Sequence, residues 1–385
     1  MYLRWGKKLV LLTNSNNMFQ NIIIVFGCNH QNMLGLVRSL GEKGIRPYCV
    51  LLKSKDGMVF RSRYPAECYW AESPQAGYDY IVQTFSGLTP KPILLSSDDM
   101  TETLFDKNAS VLRNNFIVPA ANEDGKITYL MNKQNIGALA REFGFQTPKM
   151  FVLKKDDVLP EKLQYPVFTK SVKSIDGGKK EECKCDDETA LRKVLSDCKK
   201  EGILVQQYID KIDEIDLIGY TANGEVQIPY IQHELRFSDH AYGGYHRFDK
   251  IKETDTKKQV EQLILSTGFQ GLFSVEFLVD KSGQWWFTEV NFRHDGHTYL
   301  ITPGGFNIPY CYCCAVTGKG HAIPNKIKNK IVGINEMVDL GQFVATGKMS
   351  KFKWFWQFVT ADSRILWNWK DNGPVLHLIK SRFLK

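Results

Sequence analysis

The stretch from Phe273 to Asn291 (FSVEFLVDKSGQWWFTEVN) constrains the fold more than any other. Two runs rich in aromatic and β-branched residues meet at Ser282-Gly283, a credible two-residue turn, and together predict a β-hairpin. With that turn Lys281 faces Gln284, and counting outward sets Glu276 opposite Glu289. Asn291 lies two residues beyond Glu289 and so on the same face, and Arg293 is one more such step along. Facing carboxylates destabilise a ladder unless a cation lies between them, so losing one is expected to raise the melting temperature of the metal-free chain. Two glutamates and an amide oxygen are hard ligands suited to Mg²⁺ bridging to nucleotide phosphates. The competing reading is a solvated pair, but Phe273, Val275, Phe277, Phe287 and Val290 leave no simple polar face.

Before this hairpin the chain alternates between strand and helix patterns. Asn21 to Gly27, Arg46 to Leu52 and Pro92 to Ser96 read as strands, and Met33 to Lys43, Tyr78 to Phe85 and Thr101 to Leu112 as helices. Such alternation implies right-handed crossovers and a parallel sheet, with ligands at the carboxyl ends of the strands. That places Asn29, His30 and Asn32, and then Ser97, Asp98 and Asp99, at candidate positions. Helix capping and substrate binding explain the Asn/His cluster equally well. Gly27 to Asn32 is not a G-x-G-x-x-G fingerprint, which argues against hydride transfer.

From Asn132 the pattern changes. Asn132 is placed to cap a helix over Lys133 to Phe143, closed by Gly144. Strands follow at Met150 to Leu153, Pro166 to Ser171 and Ile203 to Ile209, with a helix from Asp187 to Lys200. Further strands are expected at Ile215 to Thr221 and Val226 to Ile231. Lys170 leaves its strand toward Ser174 to Lys180, whose Gly177-Gly178 and lysines suit a flexible clamp on polyphosphate. Lys133 adds a cation near a helix start. His294, Asp295 and His297 follow Arg293, and ordinary loop polarity is the favoured reading for them. Cys183, Cys185, Cys311, Cys313 and Cys314 lack zinc-finger spacing, and no G-x-S-x-G elbow is present.

The set Lys133, Lys170, Gly177-Gly178, Gln206-Gln207-Tyr208-Ile209, Glu214, Glu276 and Glu289-Val290-Asn291-Phe292-Arg293 resembles the ATP-grasp superfamily, from about residue 115 to 315. The wording EVNFR before His294-Asp295-Gly296 is similar to D-aspartate ligases and related carboxylate–amine ligases. The resemblance implies an α/β and α+β protein, a Rossmann-like parallel-sheet domain followed by an ATP-grasp domain of two subdomains. It implies that Lys133 and Lys170 contact ATP phosphates, Lys170 also lying near the adenine, and that Gln206 to Ile209 read the adenine edge. Glu214 would hold the ribose hydroxyls. Glu276, Glu289 and Asn291 would bind Mg²⁺, or Mn²⁺ in its place, and Arg293 would be the catalytic cation. Gln207 stands where many relatives have glutamate. The activity implied is amide-bond formation between a small carboxylic acid and an amine or amino acid through an acyl phosphate. A small-molecule kinase and a non-catalytic nucleotide-binding regulator are the alternatives, and the complete lysine and carboxylate sets count against the latter.

The charge distribution agrees with small-molecule rather than nucleic-acid substrates. Residues 1–20 carry three basic and no acidic groups, and residues 321–385 carry eleven basic and four acidic groups. The net +8 therefore sits at the ends, and the body lacks a basic face for nucleic acid. The expected division is an extension over 1–17, an α/β domain over 18–118, the ATP-grasp domain over 119–320 and a basic aromatic region over 321–385. Sparse, odd-numbered cysteines, no apolar run of about 18 residues and no signal-peptide core lead to a cytoplasmic expectation. Trp354, Trp356, Trp367 and Trp369, half of the eight tryptophans, crowd Lys351 to Trp369. Packing against the body is the favoured reading, and weak contact with a membrane surface or an anionic envelope precursor is the alternative.

Overall fold

The computed structural model describes residues 2–5, 8–11, 19–161, 163–172, 182–198, 202–237 and 243–383. The Ser174–Lys180 clamp lies outside them. Two short strands, β1 (Tyr2–Trp5) and β2 (Lys8–Leu11), pair antiparallel ahead of the parallel sheet in the chain. β3 (Ile23–Cys28), β4 (Tyr48–Leu52), β5 (Glu67–Trp70) and β6 (Ile93–Ser96) then form a parallel sheet in the order β5-β4-β3-β6. β5 (ECYW) falls outside the expected strands because it alternates exposed and half-buried residues at the sheet edge. α1 (Gln31–Gly41) covers one face of this sheet, and α2 (Pro74–Phe85) and α3 (Asp99–Lys107) cover the other. The expected helix Thr101–Leu112 breaks at Asn108, after which α4 (Ala109–Leu112) begins.

α5 (Lys126–Leu130) leads to α6 (Lys133–Glu142), where the Asn132 side chain accepts from Gln134 N and Gly144 exits with positive φ. A small antiparallel sheet has the order β7 (Met150–Leu153), β10 (Ile203–Gln207), β8 (Val167–Lys170), β9 (Cys183–Cys185), with α7 (Glu188–Asp197) packed on it. The large sheet comprises β11 (Lys211–Ala222), β12 (Glu225–Glu234), β13 (Tyr245–Lys250), β14 (Gly271–Asp280), β15 (Trp285–Asn291), β16 (Lys330–Ile334) and β17 (Ser363–Arg364). Its order is β15-β14-β11-β12-β13-β16-β17. α6 and α8 (Asp255–Thr267) bury one face. α9 (Thr298–Ile301), α10 (Ile308–Val316) and α1 share a core with the lower part of the other face, tying the large sheet to the parallel one.

The hairpin register holds, but the expected turn does not. Asp280 N donates to Gln284 O at 3.1 Å, so the loop spans Lys281 to Gly283, with Gly283 at φ 82°. That shifts the register by one residue. A bulge next to Glu276/Phe277 on the β14–β15 ladder shifts it back and restores Glu276 opposite Glu289. Alternation then sends Phe273, Val275, Phe277, Phe287 and Val290 into the core under α6 and α8, so the acidic residues keep the opposite face to themselves.

The C-terminal region is pinned at Arg38 on α1. Its guanidinium is fully buried, 2.9 Å from Asp371 Oδ2, and donates to Ile365 O and Asp371 O. Asp371 also accepts from Ser62 Oγ and Arg63 N. α11 (Glu336–Asp339) supplies Glu336, which accepts from the backbone N–H groups of Ile365, Leu366 and Trp367. α13 (Gly373–Phe383) ends the described chain. The packing expectation for the tryptophans is corrected in part. In α12 (Lys351–Thr360) Trp354 stacks on Phe358, which meets Trp367, whereas Trp356 and Trp369 are 64% and 81% exposed. The helix has two apolar faces, and the body covers only one.

Candidate active site

A polar row crosses four adjacent strands of the large sheet: Gln232 on β12 faces Asp216 on β11, which faces Glu276 on β14, which faces Glu289 on β15. Gln232 Nε2 donates to Asp216 Oδ2 at 2.7 Å, and Asn291 Nδ2 donates to Glu276 Oε1 at 2.6 Å. Lys133, at the first position of α6, forms an ion pair with Glu289. Burial opposes ionisation of Glu289, but the Lys133 and Lys170 ammonium groups outweigh it and hold the carboxyl at about 2. Glu276 goes the other way: burial, then the charge of Glu289, pushes it well above the usual carboxylate range. Asp216 is raised as well, by burial and then by Glu276. The structure therefore corrects the expectation of two mutually repelling charges. Glu289 is already neutralised, and its loss strands a buried lysine.

Asp216 is the carboxylate of this row that sequence reasoning missed, and Gln232 beside it was missed as well. Asp216 sits inside the expected strand Ile215–Thr221, and only the long-range β11–β14 pairing brings it beside Glu276.

Arg293 closes the row. Its Nη2 donates to Asn291 Oδ1 at 2.8 Å, its Nε lies 3.2 Å from Asp99 Oδ1, and its Nη1 lies 3.3 Å from Asp295 Oδ2. Asp99 begins α3 at the carboxyl end of β6, so this guanidinium joins the parallel sheet's layer to the large sheet. Burial works against its charge, but the carboxylates of Asp99 and Asp295, then of Glu276 and Glu289, outweigh it and raise its affinity for its proton. Beside it Asp98 caps α3, accepting from Thr101 N, and also accepts from Cys28 N at 2.7 Å. Asn29 is used structurally, binding Ser54 O and Val59 N. Asn32 instead approaches the 294–297 loop: a Cβ on Gly296 would fall 2.7 Å from its Oδ1. The expectation of ordinary loop polarity for that loop is corrected. His294 is fully buried, its N–H donates to Ser96 O, and burial lowers its ring to about 3. The rings of His297 and His246 lie 4.1 Å apart.

Gln206, Gln207, Tyr208 and Ile209 run from β10 of the small sheet toward β11 of the large one. Gln207 N donates to Lys149 O at 2.8 Å, and Gln206 is buried. Lys170 ends β8 on the same small sheet. Glu214 on β11 pairs with Lys211 and faces the raised carboxyl of Glu234, pushed up to about 9 by burial and then by Glu214. The candidate nucleotide contacts thus line the junction between the two sheets, and the acidic row lies on the large one.

This architecture recurs among solved structures. An L-amino acid ligase from Bacillus licheniformis superposes with a TM-score of 0.62 at 19% identity, covering 81% of this chain and 79% of that one. N5-carboxyaminoimidazole synthetase from Staphylococcus aureus, complexed with ADP, gives 0.64 at 17% identity, covering 82% of each chain. A biotin carboxylase from Campylobacter jejuni gives 0.60 at 16% identity, covering 80% and 74%. The chain has the ATP-grasp fold. No family model and no curated protein matches the sequence. On this fold Lys133, Glu276, Glu289, Asn291 and Arg293 converge on one face, with Lys170 close enough to act on both glutamates electrostatically. Among the described residues no three His, Cys, Asp or Glu side chains form a metal cage. Two carboxylates and an amide oxygen are what Mg²⁺ needs when substrate phosphates complete its shell, so the donor set fits that ion.

Proposed function

We infer that this protein is an ATP- and Mg²⁺-dependent ligase that joins a small carboxylic acid to an amine. The observation that carries this reading is the face shared by Glu276, Glu289, Asn291, Lys133 and Arg293 beside the two-sheet junction. Glu276, Glu289 and Asn291 would hold Mg²⁺, which supplies charge neutralisation at the phosphates. Gln206 to Ile209 and Glu214 would seat the adenosine, and Lys133 and Lys170 would draw the phosphates onto the acidic row. The substrate carboxylate oxygen would attack the γ-phosphorus, releasing ADP and leaving an acyl phosphate. Arg293, fixed by Asp99 and Asp295, would neutralise the charge that develops there. The amine nitrogen then attacks the acyl carbon, loses a proton and expels phosphate. Alignment between the domains and exclusion of water are the protein's main contribution. The likeness to a protein described as an L-amino acid ligase supports amino acids as the first substrates to try.

The test is ADP release from Mg²⁺–ATP across a matrix of amino acids and small acids. A ligase needs one acid and one amine together and yields free phosphate. ADP formed with a single substrate, and a stable phosphorylated product, would establish the kinase instead.

A further inference from the structure

α12 carries a second apolar stripe that the fold does not use. Phe352, Phe355, Trp356 and Val359 recur at i, i+3, i+4 and i+7, and all four are exposed, Phe352 by 80%. At about 100° per residue, Lys351 and Lys353 flank this stripe on its two sides, and both side chains are exposed. The opposite face is anchored. Trp354 stacks on Phe358 with ring centroids 5.3 Å apart, Phe358 packs on Trp367, and Gln357 accepts from Arg236. Ser350 caps the helix, accepting from Lys353 N at 3.2 Å. Trp369, edge-on to Trp367 at 5.0 Å, is a further exposed indole in the same region of the chain. From residue 340 to 361 there is no acidic residue, while Lys348, Lys351 and Lys353 are basic.

We propose that the outer face of α12 docks this protein onto an anionic lipid surface. Aromatic side chains between lysines match the boundary between acyl chains and anionic headgroups, and the lack of carboxylates makes the charge complementarity one-sided. Ten residues make a helix about 15 Å long, which suits lying in the headgroup plane. No helix of the described residues is long and apolar enough to cross a membrane, so the contact is peripheral. Docked this way, the enzyme acts on substrates delivered at that surface. This inference is independent of which reaction the acidic row performs.

Co-sedimentation of the full chain with vesicles of phosphatidylcholine, alone or mixed with phosphatidylglycerol, tests it. Binding is expected to the mixed vesicles and to weaken as salt is added. Lys351→Gln and Lys353→Gln should each raise the lipid concentration for half-binding about fivefold. The double variant Phe352→Ser/Trp356→Ser should lose binding with an unchanged melting temperature, because neither side chain is packed. Failure to bind mixed vesicles overturns the proposal, as does binding that survives the double variant. A parent chain that self-associates, and becomes monomeric in the double variant without binding vesicles, would show the stripe to be a contact between copies.

Discussion

Lys133 and Glu289 form an ion pair between the first turn of α6 and the edge strand of the large sheet, with 9% and 18% of their side chains exposed. The pair keeps Glu289 ionised, while Glu276 beside it is driven toward protonation. In the proposed Mg²⁺ site Glu289 would ligate as it stands, and Glu276 would give up its proton when the cation arrives.

Glu289→Gln should abolish Mg²⁺-dependent turnover while the chain still folds. It should also melt lower than the parent, by about 2 kcal/mol, less than a fully buried pair would lose because Glu289 keeps some exposure. Glu276→Gln should likewise lose turnover but melt no lower than the parent. Turnover assays paired with urea melts check both. A Glu289→Gln variant with full activity at limiting Mg²⁺ would sink the metal assignment.

Arg293→Lys should cost at least about 100-fold in turnover, because an ammonium cannot meet Asp99, Asn291 and Asp295 together as the planar fork does. Initial rates at saturating ATP measure it. A change in KM for ATP alone would place Arg293 in nucleotide binding rather than at the reacting groups.

Much of this arrangement is legible in the sequence, though the hairpin shows how narrowly. The facing glutamates follow from counting through a two-residue turn, yet the real loop is longer and a bulge compensates. The cap at Asn132, the exit at Gly144 and the strand carrying Lys170 are local signals and stand as read. Asp216 and the buried His294 are not local: each owes its place to pairing across distant strands or to the contact of the 294–297 loop with the end of β6. β9, β13 and β16 are short or polar and carry too little alternation to announce themselves.

Glu102 gives a pH test apart from the acidic row. It is fully buried on α3 and accepts from Ser96 Oγ; burial, against that bond, holds its carboxyl well above the ordinary 4.5. The folded chain therefore keeps a proton that the unfolded chain releases. Stability should fall as pH rises from about 4.5, by up to about 1.4 kcal/mol per pH unit from this group. In Glu102→Gln that contribution vanishes, so the variant's melting temperature relative to the parent should climb between about pH 4 and pH 8. Parallel melting curves would refute the assignment.

Asp371→Asn should destabilise by about 3 kcal/mol, because it removes the charge facing a guanidinium with no exposed surface. Truncation before Lys351 should do at least as much harm, since it removes all three of that group's hydrogen bonds at once. Both are read by thermal melts, and an unchanged melt for either variant would refute the clamp.

The Arg38–Asp371 clamp also bears on how the chain is made. Its two ends are 333 residues apart, a gap that a ribosome translating about 10 residues per second takes on the order of half a minute to cross. Until residues 365 and 371 emerge, the Arg38 guanidinium lacks the hydrogen-bond partners that its burial requires, and water serves it instead. The seat of α1 against the C-terminal region can therefore be completed only after residue 371 has been made.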